Sequence, residues 1–473
     1  MGQGRVVRHP GASTGADTPR VLIVGAGPAG VRCAQALVAA GVRPVMVDEG
    51  RRDGGQIYRR QPEGFSRPYP TLYGTEAERA RSLHQTFESL RGAIDYRPET
   101  LAWNIAEGEL YTVSAGVSQA LPFDALVVCS GATDRLMPVK GWHRAGTYSL
   151  GAAQIALKSQ ACAIGRRVVF AGTGPLLYLV AAQYVKAGAH VEAVLDTSSL
   201  WARMRALPKL AARPRVLLNG VALMRTLRAA GVRIVTGIDP VEIHGTDDDG
   251  VQAITYRDRN GTAHQLTCDA VALGYHVRPE TQLADLARCE FHFDAETRQW
   301  LPTVDPDRRS TTPGVYLAGD GARVLGADGA EIAGKLAAWA LLEDLGRPVP
   351  EAERKALRRE REVMERFRQG LAEAFPWPAA QAARLPDETI VCRCEGITAG
   401  ELRRVVNQMG ACEANRAKAF CRVGMGRCQG RYCGHAGAEV VAAEAGVPVE
   451  RVGRLRGQAP VKPLSIATRA EAS

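Results

Sequence analysis

Five cysteines, Cys392, Cys394, Cys421, Cys428 and Cys433, crowd into one short part of a 473-residue chain. Thiols at this density suit four kinds of chemistry: a zinc clamp, a disulfide staple, a thiol redox pair or a cage for an iron–sulfur cluster. The stretches read "VCRCEG", a C-x-C pair, and "GMGRCQGRYC", a C-x4-C pair. Structural zinc sites mostly pair cysteines as C-x2-C, because that turn presents both thiolates to one ion. C-x-C suits this less well. Two such cysteines at a strand end or loop would instead take one iron of a [2Fe–2S] rhomb, and the distant pair the other. Cys392, Cys394, Cys428 and Cys433 are therefore the expected metal ligands, with zinc or an empty site as the alternatives. Gly424, Gly426 and Gly430 would let backbone amides approach the sulfides. Cys412 and Cys421 are read as bystanders.

The remaining cysteines, Cys33, Cys129, Cys162, Cys268 and Cys289, stand singly in apolar or mixed surroundings, as small buried hydrophobes do. Residues 1–385 contain neither C-x-x-C nor C-x4-C, so a thiol redox mechanism beside a cofactor is not expected. The N-terminus, "MGQGRVVRHPGASTGADTP", lacks the apolar region of a secretory signal, and no apolar run is long enough for a membrane span. A cytoplasmic location is the expectation, and structural disulfides are rare there. The net charge is +10, but arginines occur along the whole chain, no dense basic run sits beside stacking aromatics, and aromatics are only 6%, so nucleic-acid binding is not expected.

Two segments must position this chemistry. "RVLIVGAGPAGVRCAQALVAAGVRPVMVDEG" reads as strand, glycine turn, helix and strand, closed by Asp48 and Glu49. Gly25 allows a tight turn, Gly27 admits a pyrophosphate to the backbone, and Gly30 lets helix and strand pack closely. Pro28 and Ala29 open the helix, whose N-terminal amides favour phosphate. Asp48, eighteen residues after Gly30, suits hydrogen bonds to a ribose. The second copy, "RRVVFAGTGPLLYLVAAQYVKAGAHVEAVLD", keeps Gly172 and Gly174 and ends in Asp196, but Leu177 replaces the third glycine. It is expected either to bind a second nucleotide, NAD(H) or ATP/ADP, or to persist as structure. The stretches "FDALVVCSGATDRLMPV" and "CDAVALGYHVRPETQLA" repeat an acid, a strand and then Gly131 or Gly274. The late "VYLAGDGAR" places Asp320 at a strand end, where α/β sheets bind ligands.

The first glycine motif, the second inserted mid-chain and the late "YLAGD" resemble the two-dinucleotide-binding flavoproteins. That resemblance implies FAD on Gly25, Gly27, Pro28, Ala29, Gly30, Asp48, Glu49, Gly131, Gly319 and Asp320, with Gly55 and Gln56 of "DGGQIYR" beside the flavin. Gly172, Gly174 and Asp196 would serve the second nucleotide. The C-terminal signature resembles the [2Fe–2S] domain of bacterioferritin-associated ferredoxin, in the version fused to amino-acid and opine oxidoreductases. With "DEGRRDGGQIYRRQP" and "FAGTGPLLYLVAAQYVKAGA", residues 20–450 resemble the FAD and iron–sulfur subunit of bacterial opine oxidases, hydroxyproline dehydrogenases and hydrogen cyanide synthases.

The expected fold is α/β: two Rossmann-like units of a two-dinucleotide-binding-domain flavoprotein plus a small α-helical [2Fe–2S] domain. The expected divisions are a tail (1–18), a first FAD-binding part (19–145), the second nucleotide domain (146–278) and the FAD-domain return (279–347). A charged helix and linker (348–385), the cysteine domain (386–450) and an extension (451–473) follow. The resemblance implies a partner subunit like D-amino-acid oxidase, which oxidises a C–N bond of an amino acid, imino acid or opine. It further implies a small ferredoxin-like subunit, an FMN shared between chains and contact with the inner face of the membrane through the electron acceptor. No catalytic residue is expected here, since His143, His276 and His292 stand alone. A self-sufficient NAD(P)H-dependent reductase and a nucleotide-binding scaffold are the competing readings.

Overall fold

The computed structural model describes residues 19–470; the N-terminal tail expected over 1–18 lies outside the described residues. In chain order the elements that matter begin with β1 (Val21–Val24), α1 (Pro28–Ala39), β2 (Val45–Val47), β3 (Asp95–Arg97) and β4 (Ala125–Val128). Next come β5 (Thr147–Ser149), α2 (Leu150–Ser159), β6 (Val168–Thr173), α3 (Pro175–Lys186), β7 (Val191–Asp196), α4 (Leu200–Leu210), α5 (Pro214–Ala229), β8 (Arg233–Thr236) and β9 (Ala270–Tyr275). The chain then forms β10 (Val315–Leu317), α6 (Gly326–Asp344), α7 (Glu351–Ala374), α8 (Ala399–Met409), α9 (Ala414–Cys421) and α10 (Gly434–Ala445).

Two five-stranded sheets result, ordered β10-β4-β1-β2-β3 and β8-β7-β6-β9-β5, and every pairing in both is parallel. Their central strands are buried along their whole length, because helices pack on one face of each sheet and antiparallel strands on the other. The first sheet takes its fifth strand from residues nearly two hundred positions later, so the second unit is an insertion in the first. Each unit carries a three-stranded antiparallel sheet, over 101–122 and 239–267.

Close approach explains the glycines. A Cβ on Gly30 would sit 1.8 Å from the Gly25 carbonyl oxygen, so α1 lies against β1 as only glycine permits. At the corresponding place on α3, Leu177 is fully buried in the core shared with β6 and β9.

The cysteine segment does not stand apart. Val391, Leu402, Val405 and Val440 share one apolar core with Val169, Leu195 and Leu273 of the second sheet. Residues beyond it return to the first unit: Val461 N donates to Trp103 O at 3.1 Å, and Arg469–Ala470 adds a short parallel strand to Val117–Ser118. The charged α7 is pinned rather than merely solvated. Arg358 pairs with Asp307, Arg323 with Glu365, and Arg368 with Asp294, Glu296 and Glu365. Met364 and Phe367 face inward.

Candidate functional site

The first glycine turn gathers its predicted residues at the C-terminal ends of β1, β4 and β10. Pro28 is the first helical residue of α1, Ala29 the second, and Gly27 its N-cap, which offers no side-chain cap to the first amides. Those amides are therefore free for a phosphate. Gly55 faces Gly27 closely enough that a Cβ on it would lie 2.9 Å from the Gly27 Cα. Gln56 is exposed beside it and accepts from Arg59 Nη2 at 2.5 Å. Gly319 lies against Ala29, and Gly321 against Ser130 and Gly131.

Asp48 ties the turn together: its two oxygens accept from Ala26 N and Gly50 N, both at 2.6 Å. Burial raises its carboxyl above the ordinary value despite those two amide bonds. Glu49 instead pairs with Lys462 of the C-terminal extension. Asp320 Oδ1 accepts from Leu325 N (2.9 Å) and Gly326 N (3.1 Å), capping α6, and burial pushes its carboxyl up to about 6. Sequence reasoning missed one cation here. Lys158 of α2 is 4% exposed, donates to Ile57 O at 3.1 Å, and is pushed down to about 8 by burial. A lone lysine on a helix carries no sequence signal of such a position.

The second turn is built alike but filled. A Cβ on Gly172 would lie 1.8 Å from Gly274 O, so β6 and β9 meet closely, and Gly174 faces the His276 ring. Asp196, at the end of β7, is fully buried and supplied with donors from its own chain. Thr173 Oγ1 donates at 2.8 Å, Tyr178 OH at 2.7 Å, Ser198 N at 2.7 Å and Arg203 Nη2 at 2.5 Å. The Arg203 guanidinium also stacks over Tyr178 and Phe375, 5.2 and 5.0 Å from the ring centroids. Phe375 is fixed by its carbonyl, 2.6 Å from His276 Nε2. The linker Phe375–Pro378 thus crosses the strand ends where a second nucleotide would approach. The sequence marked those residues only as a linker, and nothing local pairs Arg203 with Asp196.

In the last segment, Cys433 lies within hydrogen-bonding reach of Cys392 and Cys428, and Cys428 of Cys394. The Cys433 thiol draws Cys392 down to about 6 and Cys428 to about 5, and is itself raised well above the ordinary thiol value. Gly424 and Glu395 amides point at the Cys392 sulfur, and Tyr432 and Gly430 amides at that of Cys428. The glycines also relieve crowding, since Gly424 and Gly430 make room for Leu455, and Gly426 for Cys394. Cys421 Sγ turns to its own helix carbonyl, Ala417 O, at 3.1 Å, and Cys412 is exposed. Among the described residues, no three His, Cys, Asp or Glu side chains are gathered for a single ion.

Two parallel sheets carrying two glycine turns have a counterpart in known families. The family model "Pyridine nucleotide-disulphide oxidoreductase" matches residues 19–342. The chain belongs to this family. It is an oxidoreductase of the FAD-dependent class. Over 469 residues it is 36% identical to an opine oxidase subunit from Rhizobium meliloti, covering 95% of this chain and 87% of that one. It is 29% identical to hydrogen cyanide synthase subunit HcnB of Pseudomonas protegens, covering 87% and 89%. Among solved structures, L-proline dehydrogenase from P. horikoshii superposes with a TM-score of 0.69 at 18% identity, covering 95% of this chain and 79% of that one. That last likeness concerns the fold.

Proposed function

We propose that this chain is the electron-transfer subunit of a hetero-oligomeric FAD-dependent dehydrogenase. A partner subunit oxidises a C–N bond of an amino acid, imino acid or opine, and this chain passes the electrons on. The observation that carries the reading is the filled second crevice. Asp196 has four donors from its own chain, and Phe375 and Arg203 cover it, leaving little for a nicotinamide nucleotide to recognise. Electrons then have to arrive from another protein. The relatives named as subunits of opine oxidase and cyanide synthase support the same arrangement.

The first crevice has the groups FAD needs: uncapped α1 amides for pyrophosphate, the Asp48 carboxylate for ribose, and the open Gly131 turn beyond. The four thiols suit a [2Fe–2S] cluster because they form one linked set, Cys392 to Cys433 to Cys428 to Cys394, with amides aimed at the sulfurs of Cys392 and Cys428. When bound, these groups would supply conversion of a two-electron input into single-electron output. The chain's own part is positional. Gly27 and Gly55 bring backbone to the phosphate region, Asp48 locks the turn, and Lys158 sets a buried positive charge beside the Gly54–Gln56 loop. An FMN shared with the partner and a small ferredoxin-like subunit belong to the same reading.

The test is an anaerobic visible spectrum of the purified chain before and after NADH, with flavin, iron and zinc assayed on the same sample. A chain loaded with flavin and iron yet inert to NADH is expected. Bleaching within seconds would make it a self-sufficient reductase, and zinc in place of iron would remove the cluster.

A further inference from the structure

One surface lies outside everything above. Between Asp196 and Asp239 the chain has no acidic residue but eight basic ones, which is most of its net charge of +10. The same stretch forms α4 and α5, and it exposes large apolar side chains. Trp201 is 70% exposed, Leu218 65%, Met204 61%, Leu200 51% and Leu207 47%. Residues 200, 201, 204 and 207 fall on one stripe of α4, opposite Ala206 and Leu210, which pack against Phe367 of α7. The inner face of α4 is satisfied, and its outer face is a bare ridge.

The charges are equally unspent. Arg205, Arg215, Arg225, Arg228 and Arg233 are exposed, and none pairs with a carboxylate among the described residues. Their neighbours Arg203, Lys209 and Arg213 do pair, with Asp196, Glu373 and Asp328. So the molecule neutralises the inward cations and leaves the outward ones open.

We propose that α4 and α5 form a membrane-docking surface that takes an anionic phospholipid bilayer, with Trp201, Met204 and Leu207 entering the headgroup boundary and the five arginines over lipid phosphates. An amphipathic helix with Trp and Leu on one side and arginine beside them is suited to lying in that plane. Trp, Met and Arg also concentrate at protein interfaces, but the unbroken positive sign of this stretch suits a uniformly anionic surface. Here arginines interleave with the apolar residues along both helices, as in Trp201, Arg203, Met204 and Arg205, and no acid breaks the sign. Among the described residues no helix is long and apolar enough to cross a membrane, so contact by this route is peripheral. The inference does not depend on the electron-transfer reading.

The experiment is flotation of the full chain with phosphatidylglycerol vesicles and, separately, phosphatidylcholine vesicles, with Trp fluorescence recorded on the same mixtures. Binding to the anionic vesicles alone is expected, with a blue shift that Trp201→Phe abolishes while binding persists. Each of Arg205→Gln, Arg225→Gln and Arg228→Gln should weaken binding about fivefold, from about 1 kcal/mol per juxtamembrane charge, and added salt should do the same. Trp201→Ser with Met204→Ser should reduce binding by tenfold or more, and circular dichroism checks that the exposed positions leave the fold intact. Equal binding to both vesicle types, no binding, or glutamine and serine variants that bind like the parent would overturn the proposal. So would concentration-dependent self-association that shields Trp201 without vesicles, since a second copy would then be the occupant.

Discussion

Replacing Arg203 by methionine tests whether Asp196 is held by its own chain or kept ready for a ligand. Asp196 is fully buried, and the Arg203 side chain is 16% exposed, so the pair is largely shielded from water. Removing one partner of a buried ion pair costs about 3–5 kcal/mol when the remaining charge is uncompensated. Thr173, Tyr178 and Ser198 still donate to the carboxylate, so the loss falls lower, at about 2–3 kcal/mol. A chain of several units does not unfold in one step, so global denaturation is the wrong assay. Native-state hydrogen exchange of the β6 and β7 amides reads the local opening directly. Arg203→Met should speed their exchange roughly 30- to 160-fold. Arg203→Met with Asp196→Asn should recover most of the loss, because no charge is then left unpaired. Exchange within about twofold of the parent in the single variant, or no recovery in the double, would refute the argument that the arginine closes this crevice.

Other expectations follow from the same geometry. Gly30→Ala drives a methyl toward the Gly25 carbonyl, so the variant should lose bound flavin and the packing of α1 on β1, read by absorbance and circular dichroism. Cys428→Ser should abolish iron while flavin remains, whereas Cys421→Ser, whose thiol serves its own helix carbonyl, should keep both on metal and flavin assay. Burial raises the Asp320 carboxyl from 3.8 to about 6, so the folded chain binds that proton more tightly than the unfolded chain. Stability from this group is therefore lost as pH rises from 3.8 through 6, by up to about 3 kcal/mol. Asp320→Asn can keep both amide bonds through Oδ1; in the flavin-free variant the β10 and α6 amides should exchange more slowly than in the parent at pH 8, and that advantage should vanish below pH 3.8.

Whatever depends on neighbours in the chain was readable in advance. The glycine turns at Gly25–Gly30 and Gly172–Gly174 have spacings dictated by a strand meeting a helix over a few residues. Such steric demands leave a local imprint, and the two parallel sheets follow from it. Leu177 likewise marks the second turn as departing from the glycine pattern, and its side chain is buried in that unit's core. Tertiary structure decided what fills each crevice. Arg203, Tyr178 and Phe375 reach Asp196 from separate segments, and burial alone makes their charges and rings matter to it. The convergence of Cys392 and Cys394 with Cys428 and Cys433 is of the same kind. Spacing suggested the pairs, but the turns around Gly424, Gly426 and Gly430, opened for Leu455 and Cys394, bring the sulfurs together. Long-range contacts are chosen by the packing of the whole chain, and no single stretch of sequence records that choice.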